Sequence, residues 1–227
     1  MTNQIKEKEK QKMEQNKMVV RLTFIEAALG TQTGDPEIYK NFLATKNPLQ
    51  TPEMTEEEIA NLPTFEEQFE RGITVFPRSV DDKGIEHVAI YGYMLKGFFK
   101  NACSALREQD KTKSSKIKAY KKKIDNLVFV NRISCVYIPN EEKVYVDGRL
   151  PLCQRPLRAS TAQGERIALA CSEEIPEGST VTFEITTLND EMTDLVKEWL
   201  DYGQFNGIGC WHNAGRGRFT YEILPSK

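Results

Sequence analysis

The side chains best suited to chemistry are gathered near the C-terminus, in the stretch YGQFNGIGCWHNAGRGRF, residues 202–219. Gly203, Gly207, Gly209, Gly215 and Gly217 fall within fifteen residues, a density that frees the backbone to take positive φ and to approach another group closely. Arg216 and Arg218 supply guanidinium donors, Trp211 a stacking face and His212 an imidazole. These are the groups with which proteins hold phosphates and bases, so Gly207, Gly209, Gly215 and Gly217 are read as one wall of a binding loop. His212 also suits a second chemistry. A histidine can deprotonate a 2′-hydroxyl while a lysine or tyrosine steadies the leaving oxygen, the route of a metal-independent endoribonuclease. A loop histidine serves equally as a polar contact. Asp35 is the other catalytic candidate, although an Asp before Pro36 also begins turns.

Cations elsewhere point the same way. Lys96 and Lys100 lie in the early turns of a helix beside Gly97, where amides and ammonium groups can meet a phosphate. KTKSSKIKAYKKK, residues 111–123, holds seven lysines and no acid, and its Lys116, Lys121, Lys122 and Lys123 are suited to backbone phosphates. Residues 149–166, with Arg149, Arg155, Arg158 and Arg166, contain Pro151 and Pro156 and read as an extended basic arm. The net charge is only −2, so any such binding uses a local surface rather than a uniformly basic chain.

Composition narrows the alternatives. The chain has 227 residues, enough for one elaborated domain: a polar tail over 1–17 and a body over 18–227. No apolar run nears the roughly 18 residues of a membrane span, and the charged N-terminus is unlike a secretory leader, so a cytoplasmic protein is expected. Five cysteines without a C-x-x-C pair, and His87 and His212 as the sole histidines, predict reduced thiols and no metal site. No cofactor and no small-molecule substrate are expected.

The elements that position these groups follow from periodicity. Val20, Leu22 and Phe24 alternate in a first strand over 18–26. Leu95, Phe98, Phe99, Ala102 and Leu106 form one face of a helix over 91–106. Val181, Phe183 and Ile185 alternate in a strand over 180–187, which the turn IPEGS sets up to pair with 167–172. Asn189 caps a helix bearing Met192, Leu195, Val196, Trp199 and Leu200, Gly203 stops it, and a last strand carries Phe219, Tyr221 and Ile223. Residues 47–72, with seven glutamates from Glu53 to Glu70, read as an acidic helical insertion within a broader excursion over 31–84.

This is an α+β chain in βαββαβ order, the ferredoxin-like or RRM-like plan, with an acidic helical insertion and a basic arm. Within it, LKGFFKNA (95–102), EEIPEGSTVTFEI (173–185) and GIGCWHNAGRGRF (207–219) resemble three motifs of the RAMP (repeat-associated mysterious protein) superfamily, especially the backbone subunits of CRISPR effector complexes. The resemblance implies an RNA or single-stranded DNA groove between the helix start, a basic thumb and the glycine loop. Lys96 and Lys100 would meet helix-side phosphates, Arg216 and Arg218 would flank the loop, and residues 149–166 would form the thumb. It also implies self-association or related subunits stacked along the strand, and places Asp35 in the loop where some relatives cleave target RNA. The sequence departs from the family at Lys100, where arginine is usual, and in its acidic insertion. A stand-alone relative from a phage or other mobile element fits these departures, as does an interaction protein that docks to or inhibits a partner complex.

Overall fold

The computed structural model describes residues 15–33, 72–145, 149–161 and 164–225. Asp35, the glutamates from Glu53 to Glu70 and most of the polar tail lie outside the described residues, as do the side chains of Arg158 and Arg166.

The main sheet is built on β1, Asn16–Phe24, whose Met18, Val20, Leu22 and Phe24 are buried while Lys17 and Arg21 on the other face are exposed. Its neighbours are β11, Thr180–Thr187, and β12, Phe219–Leu224, both antiparallel to it. Register places Val20 opposite Phe183 and Leu22 opposite Val181, so apolar positions of the two strands share a face. Beyond β11 come β7, Val128–Val130, and β8, Ile133–Tyr137, then β6, Glu86–Tyr91, and β5, Arg78–Val80. All these pairings are antiparallel. The turn between β5 and β6 forms at Asp81–Gly84, where Asp81 Oδ1 accepts the amides of Lys83 and Ile85 (2.9 Å each) and Gly84 takes φ +83°.

Two helices cover the apolar face. α1, Gly92–Leu106, buries Leu95, Phe98, Phe99, Ala102 and Cys103. The helix after β11, Asp190–Tyr202, buries Met192, Leu195, Val196, Trp199 and Leu200, and Asn189 Oδ1 caps it by accepting from the Met192 amide at 2.8 Å. Phe99 meets Trp199 with ring centroids 5.7 Å apart, and Phe98 meets Phe219 edge-on at 5.1 Å. Truncating such a buried aromatic costs roughly 3–5 kcal/mol. Gly203 ends the second helix in a right-handed conformation (φ −57°). Its glycine is required by packing, since a Cβ there would fall on the Phe219 ring.

The segment from 111 to 127 is ordered onto these helices. After a 3-10 turn at Ser114–Lys116, α2 spans Tyr120–Leu127 and runs antiparallel to α1, with Tyr120 beside Arg107. Glu198 holds the turn: its carboxylate accepts from the Lys113 amide (2.6 Å), the Ser114 amide (2.9 Å) and the Ser114 hydroxyl (2.6 Å). Residues 141–144 form a short helix, α3, Glu141–Val144. With these labels the helix Asp190–Tyr202 is α4.

A second sheet corrects two expectations. Residues 149–166 are not an extended arm: β9, Leu152–Thr161, and β10, Gly164–Ile175, pair antiparallel over ten residue pairs. Pro156 is tolerated for a geometric reason. The Glu174 amide donates to the Pro151 carbonyl at 2.8 Å, and the alternation of antiparallel pairs then puts Pro156, opposite Leu169, at a non-hydrogen-bonded position on the outer side of β9. Nor does β10 pair with β11. It pairs instead with β2, Ala28–Leu29, and β4, Ile73–Val75, and β4 in turn pairs with β3, Gln32–Thr33. The IPEGS turn hands the chain from one sheet to the other, with Gly178 (φ +79°) donating to the Phe24 carbonyl at 2.7 Å. Buried Glu173 secures the junction, accepting from the Phe76 amide (2.9 Å) and from both terminal nitrogens of Arg78 (3.1 and 2.7 Å). Burial works against the Arg78 charge, but pairing with Glu173 more than offsets it and raises the pKa above its ordinary value. No helix among the described residues is long and apolar enough to cross a membrane.

Candidate nucleic-acid interface

A groove of about 290 Å³ runs between α1 and the loop that joins α4 to β12. Tyr93, Gly97 and Asn101, spaced i, i+4, i+8, line it from one face of α1, with Met94 and Phe98 beside them. Thr31 closes one end, and Gly207, Ile208, Gly209 and His212 form the opposite wall. Gly97 is exposed in the middle of a 15-residue helix, and a Cβ placed there meets nothing within 4 Å. Glycine at such a position costs about 1 kcal/mol relative to alanine, and no neighbouring protein atom requires it.

The loop wall is shaped mostly by its own backbone. A Cβ at Gly207 would collide with the Arg216 carbonyl, one at Gly217 (φ +69°) with the Ile208 carbonyl, and one at Gly209 (φ +101°) would lie 2.6 Å from the Leu29 carbonyl oxygen. Ile208 N–H donates to Gly217 O at 3.0 Å, and Gly217 N–H donates to Ala27 O at 2.9 Å. The close approach anticipated at these three glycines is therefore to protein. Gly215 differs: at φ +85° its nearest prospective neighbour is Arg218 Nε, 3.6 Å away.

His212 lines the groove, its Nδ1 3.2 Å from Gly209 O. An Nδ1–H donated there leaves Nε2 as an acceptor, and Nε2 has no hydrogen-bond partner among the described residues. Trp211 adopts φ +58° and is 41% exposed. The Arg155 guanidinium lies 5.3 Å from its ring centroid. Arg155 is only 6% exposed and donates through Nη1 to Ser172 Oγ at 3.0 Å, so it ties the β9–β10 hairpin to the loop and does not project toward solvent. Burial pushes the neighbouring Cys210 thiol pKa up, against the lowering effect of Arg155.

The remaining basic candidates lie around the groove, not in it. Arg216 pairs with Glu174 (3.5 Å) and Arg218 with Glu26 (2.8 Å), and neither lines the cavity. Arg218 is thus half-buried against an acid. Lys96 and Lys100 point across α1 toward α2. Lys96 Nζ donates to the Asp125 carbonyl at 3.2 Å and sits over Phe129, and Lys100 pairs with the Asp125 carboxylate at 2.7 Å. Burial lowers the Lys96 pKa; Asp125 opposes that shift and Lys100 adds to it. In the lysine run, Lys113 pairs with Asp194 (2.9 Å) and Lys123 approaches Glu191 (3.9 Å). Lys116, Lys121 and Lys122 make no ion pair among the described residues, and Lys121 lies 6.0 Å from the Tyr120 ring. Since Tyr120 sits by Arg107, ten residues along α1 from Gly97, this cluster is offset by roughly 15 Å along the helix axis from the middle of the groove.

Tyr93, Asn101 and Thr31 were missed by sequence reading. The signal for two of them was present: they share the phase of Gly97, whereas Lys96 and Lys100 occupy the adjacent stripe.

No protein-family model matches the chain, and no curated protein matches it. Among solved structures, the chain is similar to one in the type III-B Cmr-beta complex bound to cognate target RNA, with TM-score 0.44 and 12% identity over 92% of this chain and 59% of that one. It thus spans about three fifths of the length of that neighbour. It is likewise similar to a chain of the type IV-B CRISPR complex, with TM-score 0.44 and 11% identity over 93% of this chain and 91% of that one. Both of these chains come from CRISPR complexes.

Proposed function

We propose that this protein binds single-stranded nucleic acid, RNA or DNA, in the groove between α1 and the glycine loop, as a RAMP-like protein on a ferredoxin-like core. The observation that carries the reading is Gly97. An exposed mid-helix glycine with open space before it has no packing role, but it keeps that stretch of groove clear for a ligand backbone or base. The order β12-β1-β11-β7/β8, with α1 and α4 on one face, supports the ferredoxin-like core. Two of the segments that resemble the superfamily's motifs, 95–102 and 207–219, face each other across the groove. Assembly side by side along the strand, in the manner of CRISPR backbone subunits, belongs to the same proposal.

The test is Gly97→Ala and Gly97→Gln, with stability from urea unfolding and affinity from the anisotropy of labelled RNA and DNA strands of about 12 nucleotides. Gly97→Ala is expected to stabilise the fold by about 1 kcal/mol. Gly97→Gln, whose side chain enters the groove, is expected to weaken binding at least tenfold while the fold stays intact. Unchanged affinity in Gly97→Gln refutes the proposal. The unpartnered Nε2 of His212 in the same groove favours a second reading, strand cleavage at a 2′-hydroxyl. Product formation without added metal that disappears in His212→Ala, with binding retained, would establish it. A complex with another protein that survives nuclease treatment would favour the docking or inhibitory reading instead.

A further inference from the structure

A second recess, of about 440 Å³, opens on the far side of Tyr93. Tyr91, Gly92, Tyr93, Lys96, Val130 and Arg132 line it, two cations and no carboxylate on a chain whose net charge is −2. Tyr93 is 64% exposed and lines both cavities, so its ring is the partition between them. The Tyr91 and Tyr93 rings stack with centroids 5.4 Å apart and planes at 21°. Arg132 is exposed, and its side chain makes no hydrogen bond or ion pair among the described residues. Lys96 reaches the same recess from α1, held by the Asp125 carbonyl (3.2 Å) and the Phe129 ring (5.4 Å). An aromatic face beside the Arg132 guanidinium and the Lys96 ammonium, with no carboxylate among the lining residues, matches a nucleotide: a base on the ring, its phosphate on the cations. An acidic peptide would use the cations but has no need of the tyrosine pair.

We infer that the bound strand continues over Tyr93 into this recess, which holds one nucleotide by stacking on Tyr93 and by contacts of its phosphate with Arg132 and Lys96. The inference rests on the reading that the α1–loop groove binds single-stranded nucleic acid. It turns Tyr93 from a groove wall into a divider that separates successive bases.

Arg132→Gln touches this recess alone, Tyr93→Leu touches both cavities while keeping an apolar wall, and Gly97→Gln touches the groove alone. Affinity is measured by anisotropy over a salt series, on an oligonucleotide of about 12 nucleotides and on an abasic strand of the same length. Arg132→Gln is expected to flatten the slope of log affinity against log salt by about 0.7, one phosphate on a single strand. Tyr93→Leu is expected to weaken binding of the base-bearing strand at least about fivefold, leave the salt slope unchanged and weaken abasic-strand binding much less. If both variants bind like the parent while Gly97→Gln loses binding, the groove reading stands and this subsite is overturned. If the parent protein binds neither strand, both fall together.

Discussion

Replacing Gly217 by alanine isolates the architecture of the loop. At φ +69° an L-residue costs about 1–2 kcal/mol. Its Cβ also lands on the Ile208 carbonyl, so the 207–209 backbone must withdraw. That withdrawal breaks the bond from Ile208 N–H to Gly217 O (3.0 Å) and disturbs the one from Gly217 N–H to Ala27 O (2.9 Å). Each contributes a net 0.5–1.5 kcal/mol or about that, which brings the expected destabilisation to about 2–5 kcal/mol. Gly215→Ala is the control: φ is +85°, but the nearest obstruction is Arg218 Nε at 3.6 Å, so only the conformational cost of about 1–2 kcal/mol applies. Equilibrium urea unfolding separates the two, provided the m-value is unchanged and the midpoint alone moves. In a thermal scan of a protein this size each kcal/mol is worth about 2–4 °C. Equal shifts for the two variants would refute the argument that Gly217 is held by backbone contact and Gly215 only by its dihedral.

Neutralising Lys116, Lys121 and Lys122 together should flatten the salt dependence of binding for strands long enough to leave the groove and reach this lysine cluster, and leave affinity for strands of about 4 nucleotides unchanged; a full-length salt slope equal to the parent's refutes any contact there. Ser114→Ala removes the acceptor of the Trp199 indole N–H (2.9 Å) inside the core, where Ser114 is fully buried, and urea unfolding should show a loss of about 1–3 kcal/mol. Burial and the 3.0 Å hydrogen bond to Asp201 push the Tyr221 pKa up to about 12, above the unfolded value of about 10. Its contribution to stability is therefore whole below pH ~10 and is lost as pH rises from ~10 toward ~12. The parent's stability advantage over Tyr221→Phe at pH ~8 should shrink at pH ~11, as read from urea midpoints at the two values.

Strong periodicity made the elements around β1 legible. The apolar positions of β11 and α4 read from sequence are the buried ones, because one-sided burial imposes periods of two and 3.6 residues whatever the partner is. Partner choice was not legible. Prolines at 151 and 156 argued against a strand, yet only the position of the hydrogen-bonded pairs decides whether a proline disrupts one, and that depends on the register with β10. The same limit governed the site. The glycine loop was recognisable as a place of close approach, but the carbonyls approached belong to Leu29, Ala27 and the loop itself, far apart in the chain. Lys96 and Lys100 advertised a phosphate site by charge, and Asp125, whose carboxylate pairs with Lys100 and whose main-chain carbonyl accepts from Lys96, comes from a helix whose docking no local pattern encodes. Arg216 and Arg218 were likewise neutralised by Glu174 and Glu26.

The pairing of β3 with β4 has a consequence for how this protein can change. Gln32 stands opposite Val75 and Thr33 opposite Thr74, so the described residues that flank 34–71 are brought onto adjacent backbone positions. The ends are clamped by the ladder, and doubling the length spliced between them adds only about 0.6 kcal/mol of closure entropy. Thr31, one residue before the clamp, lines the groove between α1 and the glycine loop, so a segment grafted between the clamped ends would begin beside its rim. That makes the junction a place at which an experimenter can graft a reporter or an affinity handle.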